Sequence, residues 1–210
     1  MIALDRLFFN TISKRAGLGG LKKLRQHPDG MLLAENKPGD YLGQRVDTDS
    51  GKVELAPAEL VERADQLDEV YETELSNSHT LKLIQKRERF THNTWTHNVT
   101  AFVKGKRHTN YLYIHPKDAE ARQLADGDMA EVSANGRSIR VPVALDPLIM
   151  VGTVSVPHGW GHQKAEGLSV AKTTVGANVN IILADGSKSI EPISGMAHMN
   201  GVPVEVRACA

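Results

Sequence analysis

The sequence predicts a mainly β protein with small helices, closed into a barrel and preceded by a loop-rich segment with one or two helices. Three observations lead there. From about residue 80 the chain breaks into six or so short runs of branched and aromatic residues, each bounded by turn formers. Only one short helix interrupts them, and no regular βαβ alternation exists to build a doubly wound sheet. The first 78 residues are punctuated instead by GLGG (17–20), HPDG (27–30), KPGD (37–40) and DTDSG (47–51), which leave few residues for packed elements.

The elements follow in chain order. Residues 2–16 read as a helix whose apolar Leu4, Leu7, Phe8 and Ile12 share one face, the pattern of a docking helix. Residues 57–72 read as a second, with Pro57 near its start and Leu60, Val61, Ala64, Leu67 and Val70 at helical spacing. Strands are expected at LKLIQK (81–86) and TNYLYIHP (109–116). Pro116 then opens a short helix, PKDAEARQL, with Asp118 and Glu120 at its positive end. MAEVSA and SIRVPVAL form a hairpin about Asn135-Gly136, because both residues tolerate the positive φ of a two-residue turn. In the returning strand Ile139, Val141, Val143 and Leu145 alternate onto one face. GTVSVP (152–157), NIIL (180–183) and VPVEVRA (202–208) complete the strand set.

Composition narrows the function classes. Of 210 residues, 25 are Lys or Arg and 25 are Asp or Glu, so the formal charge is zero and a nucleic-acid role lacks its basic excess. The single cysteine, Cys209, makes no internal disulfide, iron–sulfur cluster or cysteine zinc site, and a reducing cytoplasm is compatible with it. No run approaches the roughly 20 apolar residues of a membrane span. Asp5, Arg6 and Asn10 interrupt the apolar N-terminus, which is not the h-region of a signal peptide. GLGG lacks the lysine and hydroxyl of a nucleotide P-loop.

Three stretches carry the chemistry. THNTWTHN (91–98) supplies Thr91, Asn93 and Thr94 as short polar groups, His97 and Asn98 as longer ones, and Trp95 as a flat apolar wall. The same residues also suit a strand cap and turn. PHGWGH (157–162) sets Trp160 between glycines that let the backbone approach a ligand closely while the ring covers it, a rigid loop over the barrel mouth being the other reading, and His158 and His162 stand four apart. A helical zinc site there is opposed by the two glycines, the proline and the missing glutamate. GANVN (176–180) places Asn178 and Asn180 two apart, facing the same way if the chain is extended; a turn after Gly176 is the other reading.

The order strand, HPKDA helix, LADGD turn, hairpin and loop-ended strand resembles the double-psi β-barrel that closes the dimethyl-sulfoxide-reductase and formate-dehydrogenase family of molybdopterin oxidoreductases. THNTWTHN, PHGWGH, TTVGANVNIIL (173–183) and EPISGMAHMNGVPVEV (191–206) are similar to one branch of it. The resemblance covers about residues 80–208, and more loosely GLKKLRQHPDG and GKVELAP. It departs where that branch carries Gly-Arg and a further Arg; here Gln85-Lys86 and Phe90 stand. It implies a division into an extension, 1–78, that packs on the rest of a larger enzyme, and a cofactor domain, 79–210. The implied cofactor is molybdopterin guanine dinucleotide, carried twice (bis-MGD) with Mo or W and shared with domains that lie elsewhere. The implied contacts are Arg87, Thr91, Asn93, Thr94, Trp95, His97, Asn98, His158, Gly159, Asn180 and Asn178. No catalytic residue and no metal ligand is expected among them, so the chain is expected not to turn over alone. Two other readings are a free-standing adaptor or peptide-binding barrel, and a small metalloenzyme using His92, His97, His158 and His162.

Overall fold

The computed structural model describes residues 3–32, 35, 37–40 and 45–209, so position 2 of the first expected helix lies outside the described residues. The chain divides into two compact units, Met1–Pro57 and Ala58–Ala210. The first holds α1 (Ala3–Arg15) and a short α2 (Leu21–Leu24). Asn10 joins them, its side-chain carbonyl accepting from Leu21 N at 3.1 Å. The apolar face of α1 is open, with Leu7 66% and Phe8 59% exposed.

The second unit begins with α3 (Ala58–Val61), a 3-10 turn over Glu62–Gln66 and α4 (Leu67–Ser76). The single helix expected over 57–72 is therefore interrupted, and Leu60, Val61, Leu67 and Val70 are all exposed. With that face unburied, tight packing does not hold the segment to α-helical pitch.

The barrel follows. Its strands are β1 (Leu81–Lys86), β2 (Leu112–Ile114), β3 (Met129–Ala134), β4 (Arg137–Leu145), β5 (Thr153–Pro157) and β6 (Val202–Ala208). They close in the order β1-β5-β2-β4-β3-β6. β1 runs parallel to β5 and β2 parallel to β4, while the remaining neighbours are antiparallel. This interleaving of two parallel pairs is the double-psi arrangement. Alternation dictates the core: Leu81, Leu83, Leu112, Ile114, Val132, Ile139, Val141, Val143, Val154 and Val156 all point inward and are buried. Leu145, expected on that face, is exposed because β4 ends there as the chain leaves the barrel. Asn135 (φ 51°) and Gly136 (φ 71°) make the β3–β4 turn.

The helix after β2, α5 (Pro116–Glu120), is shorter than the stretch expected to 124. His115 caps it, Nδ1 accepting from Lys117 N at 3.1 Å, and Asp118 reaches out of it to accept from Gly152 N at 2.7 Å. That second bond fixes the entry to β5. NIIL is not a strand: Val179–Ile182 form a 3-10 turn, which drives Val179 and Ile182 into the core. Among the described residues no helix is long and apolar enough to cross a membrane.

Candidate functional site

The parallel pairing of β1 with β5 builds the site. Lys86 lies opposite Pro157, so the segments that follow these strands leave the barrel side by side. His158 N donates to Lys86 O at 3.3 Å across the exit. A third segment, 173–183, is drawn in by Asn110, whose Nδ2 donates to Pro157 O and Ala177 O at 2.9 Å while Oδ1 accepts from Ala177 N at 2.9 Å. Asn110 is fully buried.

These contacts bring together much of the expected set. His158 Nε2 lies 3.2 Å from Asn93 Oδ1, an acceptor, so that nitrogen carries the proton. Asn93 adopts φ 62°, directly after His92 at φ 48°, which folds the loop back on itself. Gly159 (φ 90°) presses against that loop; a Cβ there would stand 2.5 Å from Asn93 O and 3.2 Å from the Thr94 methyl. Gly161 (φ 98°) would place a Cβ 2.6 Å from Asn178 Cβ. The two glycines thus let the 157–162 loop touch both of its neighbours.

At the centre stand His97 and Trp160, with ring centroids 4.5 Å apart. His162 Nε2 is 2.8 Å from Gly159 O and 2.9 Å from His97 Nδ1. A carbonyl only accepts, so His162 Nε2 bears a proton shared between the two. Neutral His97 therefore accepts at Nδ1 and carries its own proton on Nε2, a buried nitrogen with no partner among the described residues. Burial first, and the neighbouring His162 second, push the His97 pKa down to about 4. The His97–His162 contact is a hydrogen bond; two nitrogens on one tetrahedral zinc stand roughly 3.3 Å apart. Among the described residues no three His, Cys, Asp or Glu side chains form a group able to hold a metal ion.

Trp160 Nε1 donates to Glu88 Oε2 at 3.2 Å. Burial raises the Glu88 pKa, against the opposing pull of the Trp160 bond and of Lys86. Thr91 is buried, its hydroxyl donating to Glu88 O at 3.3 Å. Asn98 faces the other way: Oδ1 accepts from Val170 N and Ala171 N at 2.8 and 3.1 Å, tying down the turn at 171–173. Trp95 projects with 85% of its surface exposed, and Arg87 and Thr94 are also exposed.

Asn178 and Asn180 do not share an extended face. Asn178 Oδ1 accepts from Asn180 N at 3.1 Å and caps the 3-10 turn, leaving Asn180 exposed at the surface. Sequence reasoning misses Glu88 and Asn110. Strand parity could have found Asn110, because 110, 112 and 114 fall on one face and that face is the core. Glu88 is the lone acid in the basic run KRERF and gives no comparable signal.

The donor set suits a ligand of flat heterocycles and phosphates. The loops offer neutral donors and acceptors at Asn93, His97, His158 and Asn178 and the exposed indole of Trp95, while cations gather at Lys86, Arg87 and Arg89. His97 Nε2 and His158 Nδ1 are polar atoms left without partners beside them.

Comparison with known proteins gives the family of the domain. The family model described as Molydopterin dinucleotide binding domain matches residues 81–203, more than half of the chain. No curated protein sequence matches. Among solved structures the chain is similar in fold to acetylene hydratase from Pelobacter acetylenicus, with a TM-score of 0.62 at 19% identity. That superposition covers 97% of this chain but 32% of the hydratase, so the chain spans about a third of the length of that enzyme. The barrel, its paired loops and the matched residues 81–203 together place the chain in the molybdopterin-dinucleotide-binding domain family.

Proposed function

We propose that the chain is the cofactor-capping domain of a molybdopterin oxidoreductase, either the C-terminal part of a longer protein or a subunit split from it. It binds molybdopterin guanine dinucleotide, as bis-MGD with Mo or W shared with other domains, and closes the funnel to the metal. One observation carries this reading. The parallel exit of β1 and β5 sets the loops 91–98 and 158–162 against each other at one place on the barrel, with Asn178 beside them. When bound, the cofactor supplies the redox or oxygen chemistry, and the protein contributes position and electrostatics.

In this reading Asn93 and His158 hold one another and offer their remaining polar edges to the ligand. His97, kept neutral, offers an N–H donor rather than a cation. Trp95 covers a flat face, and Arg87 meets phosphate. Asn98 and Asn178 set the loops, with Asn180 and Thr94 at the rim. Residues 1–78 pack on the remainder of a larger enzyme, which accords with the open apolar faces of α1, α3 and α4.

The test is the molybdenum, tungsten and pterin content of undenatured material containing this chain, isolated anaerobically from its own cells. Metal and pterin are expected to co-elute with the chain and a larger partner. A metal-free, pterin-free monomer overturns the proposal.

A further inference from the structure

Two asparagines in the chain, Asn135 and Asn200, are followed directly by glycine. Such a pair is open to a reaction of its own. The glycine amide nitrogen, uncrowded by a side chain, can reach the asparagine Cγ and close a five-membered imide. The fold treats the two sites in opposite ways.

Asn135 is held against the reaction. It sits at φ 51° in the two-residue turn between Ala134 and Arg137, which pair with each other. Strand pairing on both sides fixes the torsion that would have to turn before Gly136 N could meet Cγ. Its Nδ2, the leaving group, donates to Ile182 O at 2.9 Å.

Asn200 is left open and is also activated. Leu81 pairs with Val204 and Leu83 with Val202, so the next place in register sets Gln85 opposite residue 200. There the asparagine side chain stands in for a backbone carbonyl, and Gln85 N donates to Asn200 Oδ1 at 2.7 Å. Gly201 alternates away from β1. Among the described residues its N–H donates no hydrogen bond, and Asn200 Nδ2 has no partner. Both residues are exposed, and a Cβ on Gly201 would meet nothing within 4 Å. The attacking nitrogen therefore has room and the leaving group faces water. As the nitrogen bonds to Cγ, negative charge grows on Oδ1, where the Gln85 N–H already points.

We propose that Asn200 is a self-modification site that converts to aspartate and isoaspartate, with the Gln85 N–H as its oxyanion donor. The Gly201 amide gives up its proton to solvent and its nitrogen bonds to Cγ. The Cγ–Nδ2 bond breaks, and Nδ2 takes a proton from solvent and leaves as ammonia. One water then opens the imide. Opening at Cγ gives aspartate, and opening at the main-chain carbonyl gives isoaspartate. No oxidant or cofactor enters, so the reaction is independent of whatever the 91–98 and 158–162 loops bind. Isoaspartate routes the main chain through Cβ and Cγ, and Oδ1 becomes a main-chain oxygen. The added carbon falls just ahead of β6, the strand that closes the barrel, and displaces the tie to the end of β1.

The full 210-residue chain is incubated at neutral pH, folded and in denaturing urea, and both positions are followed by peptide-mapping mass spectrometry. In urea the two sites are expected to convert at similar rates. In the folded chain Asn200 is expected to outpace Asn135 by about tenfold or more, the effect of roughly one well-placed hydrogen bond on a barrier. Equal rates in the folded chain, or faster conversion at Asn135, overturn the site. Each conversion adds one negative charge, so an acidic form is expected to grow on ion exchange in the parent and in N135Q and to be absent from N200Q. Thermal melts check folding, and should N200Q fail to fold, N200S takes its place. An acidic form that persists unchanged without Asn200 overturns the proposal. The isoaspartate form separated on that column is expected to unfold at lower urea than N200D, which keeps an acceptor for Gln85 N. Equal midpoints overturn the effect on barrel closure.

Discussion

Replacing Asn110 with alanine removes three hydrogen bonds at once, two donated to Pro157 O and Ala177 O and one accepted from Ala177 N. The residue is fully buried, so water cannot take over these partners. Each neutral bond contributes about 1 kcal/mol net, and each stranded buried group adds to the loss, so N110A is expected to cost about 3–4 kcal/mol. Both tryptophans, Trp95 and Trp160, lie in the unit that carries the barrel, so indole fluorescence during urea unfolding follows that unit directly. With a slope of about 2 kcal/mol per molar urea, the midpoint should fall by about 1.5–2 M. N110D adds a sign. Its carboxyl faces two carbonyl oxygens, and burial favours the protonated form in the folded state. The folded chain then holds a proton the unfolded chain releases, so N110D is most stable in acid and loses stability as pH rises through the folded value. N110A shows no such slope. A loss below about 1 kcal/mol for N110A, or equal pH dependence in both variants, would refute Asn110 as the clamp on segment 173–183.

Other outcomes follow from the same geometry. The unfolded chain protonates His97 near its ordinary 6.5 and the folded chain only near 4, so the contribution of His97 is complete above pH 6.5 and is lost as pH falls toward 4. H97Q should flatten that part of the stability–pH curve, which acid titration of unfolding midpoints measures. Gly161→Ala combines φ 98° with a 2.6 Å approach to Asn178 and should cost about 2 kcal/mol or more while lowering pterin content. Gly176→Ala would set a methyl 2.4 Å from the Trp160 ring, so a shift in indole emission should accompany it. W95A should leave stability within about 0.5 kcal/mol, because the ring is 85% exposed, yet reduce cofactor retention. Unchanged pterin content in W95A would remove Trp95 from the binding set.

The strands were legible because alternation is a strong local signal wherever one face is buried. LKLIQK, MAEVSA and VPVEVRA have the bounds their patterns suggest, and the Asn135-Gly136 turn fixes the hairpin register at Ala134 opposite Arg137. Elements that depend on partners distant in sequence were harder. NIIL has the composition of a strand, but Val179 and Ile182 plug the barrel from a 3-10 turn, which composition cannot distinguish. The 57–72 pattern reads as one helix, yet its apolar face meets nothing that would enforce a continuous pitch. In the site, the glycines flanking Trp160 suggest close approach to a ligand, whereas the approach they admit in the structure is to the 91–98 loop and to Asn178. The Glu88–Trp160 and His97–His162 contacts join positions more than 60 residues apart, and no spacing rule on a single sequence reveals such pairs.

The placement of β6 between β1 and β3 has a consequence for how the chain is made. Until residues 202–208 are available, the sheet is open, and β1 and β3 each present an unpaired edge able to recruit another chain. Leu81 waits for Val204 across more than half of the sequence. During synthesis this leaves a growing chain with two adhesive borders and an unsealed apolar interior. Chains cut before Val202 should accumulate as aggregates joined edge to edge, even with every loop of the site present.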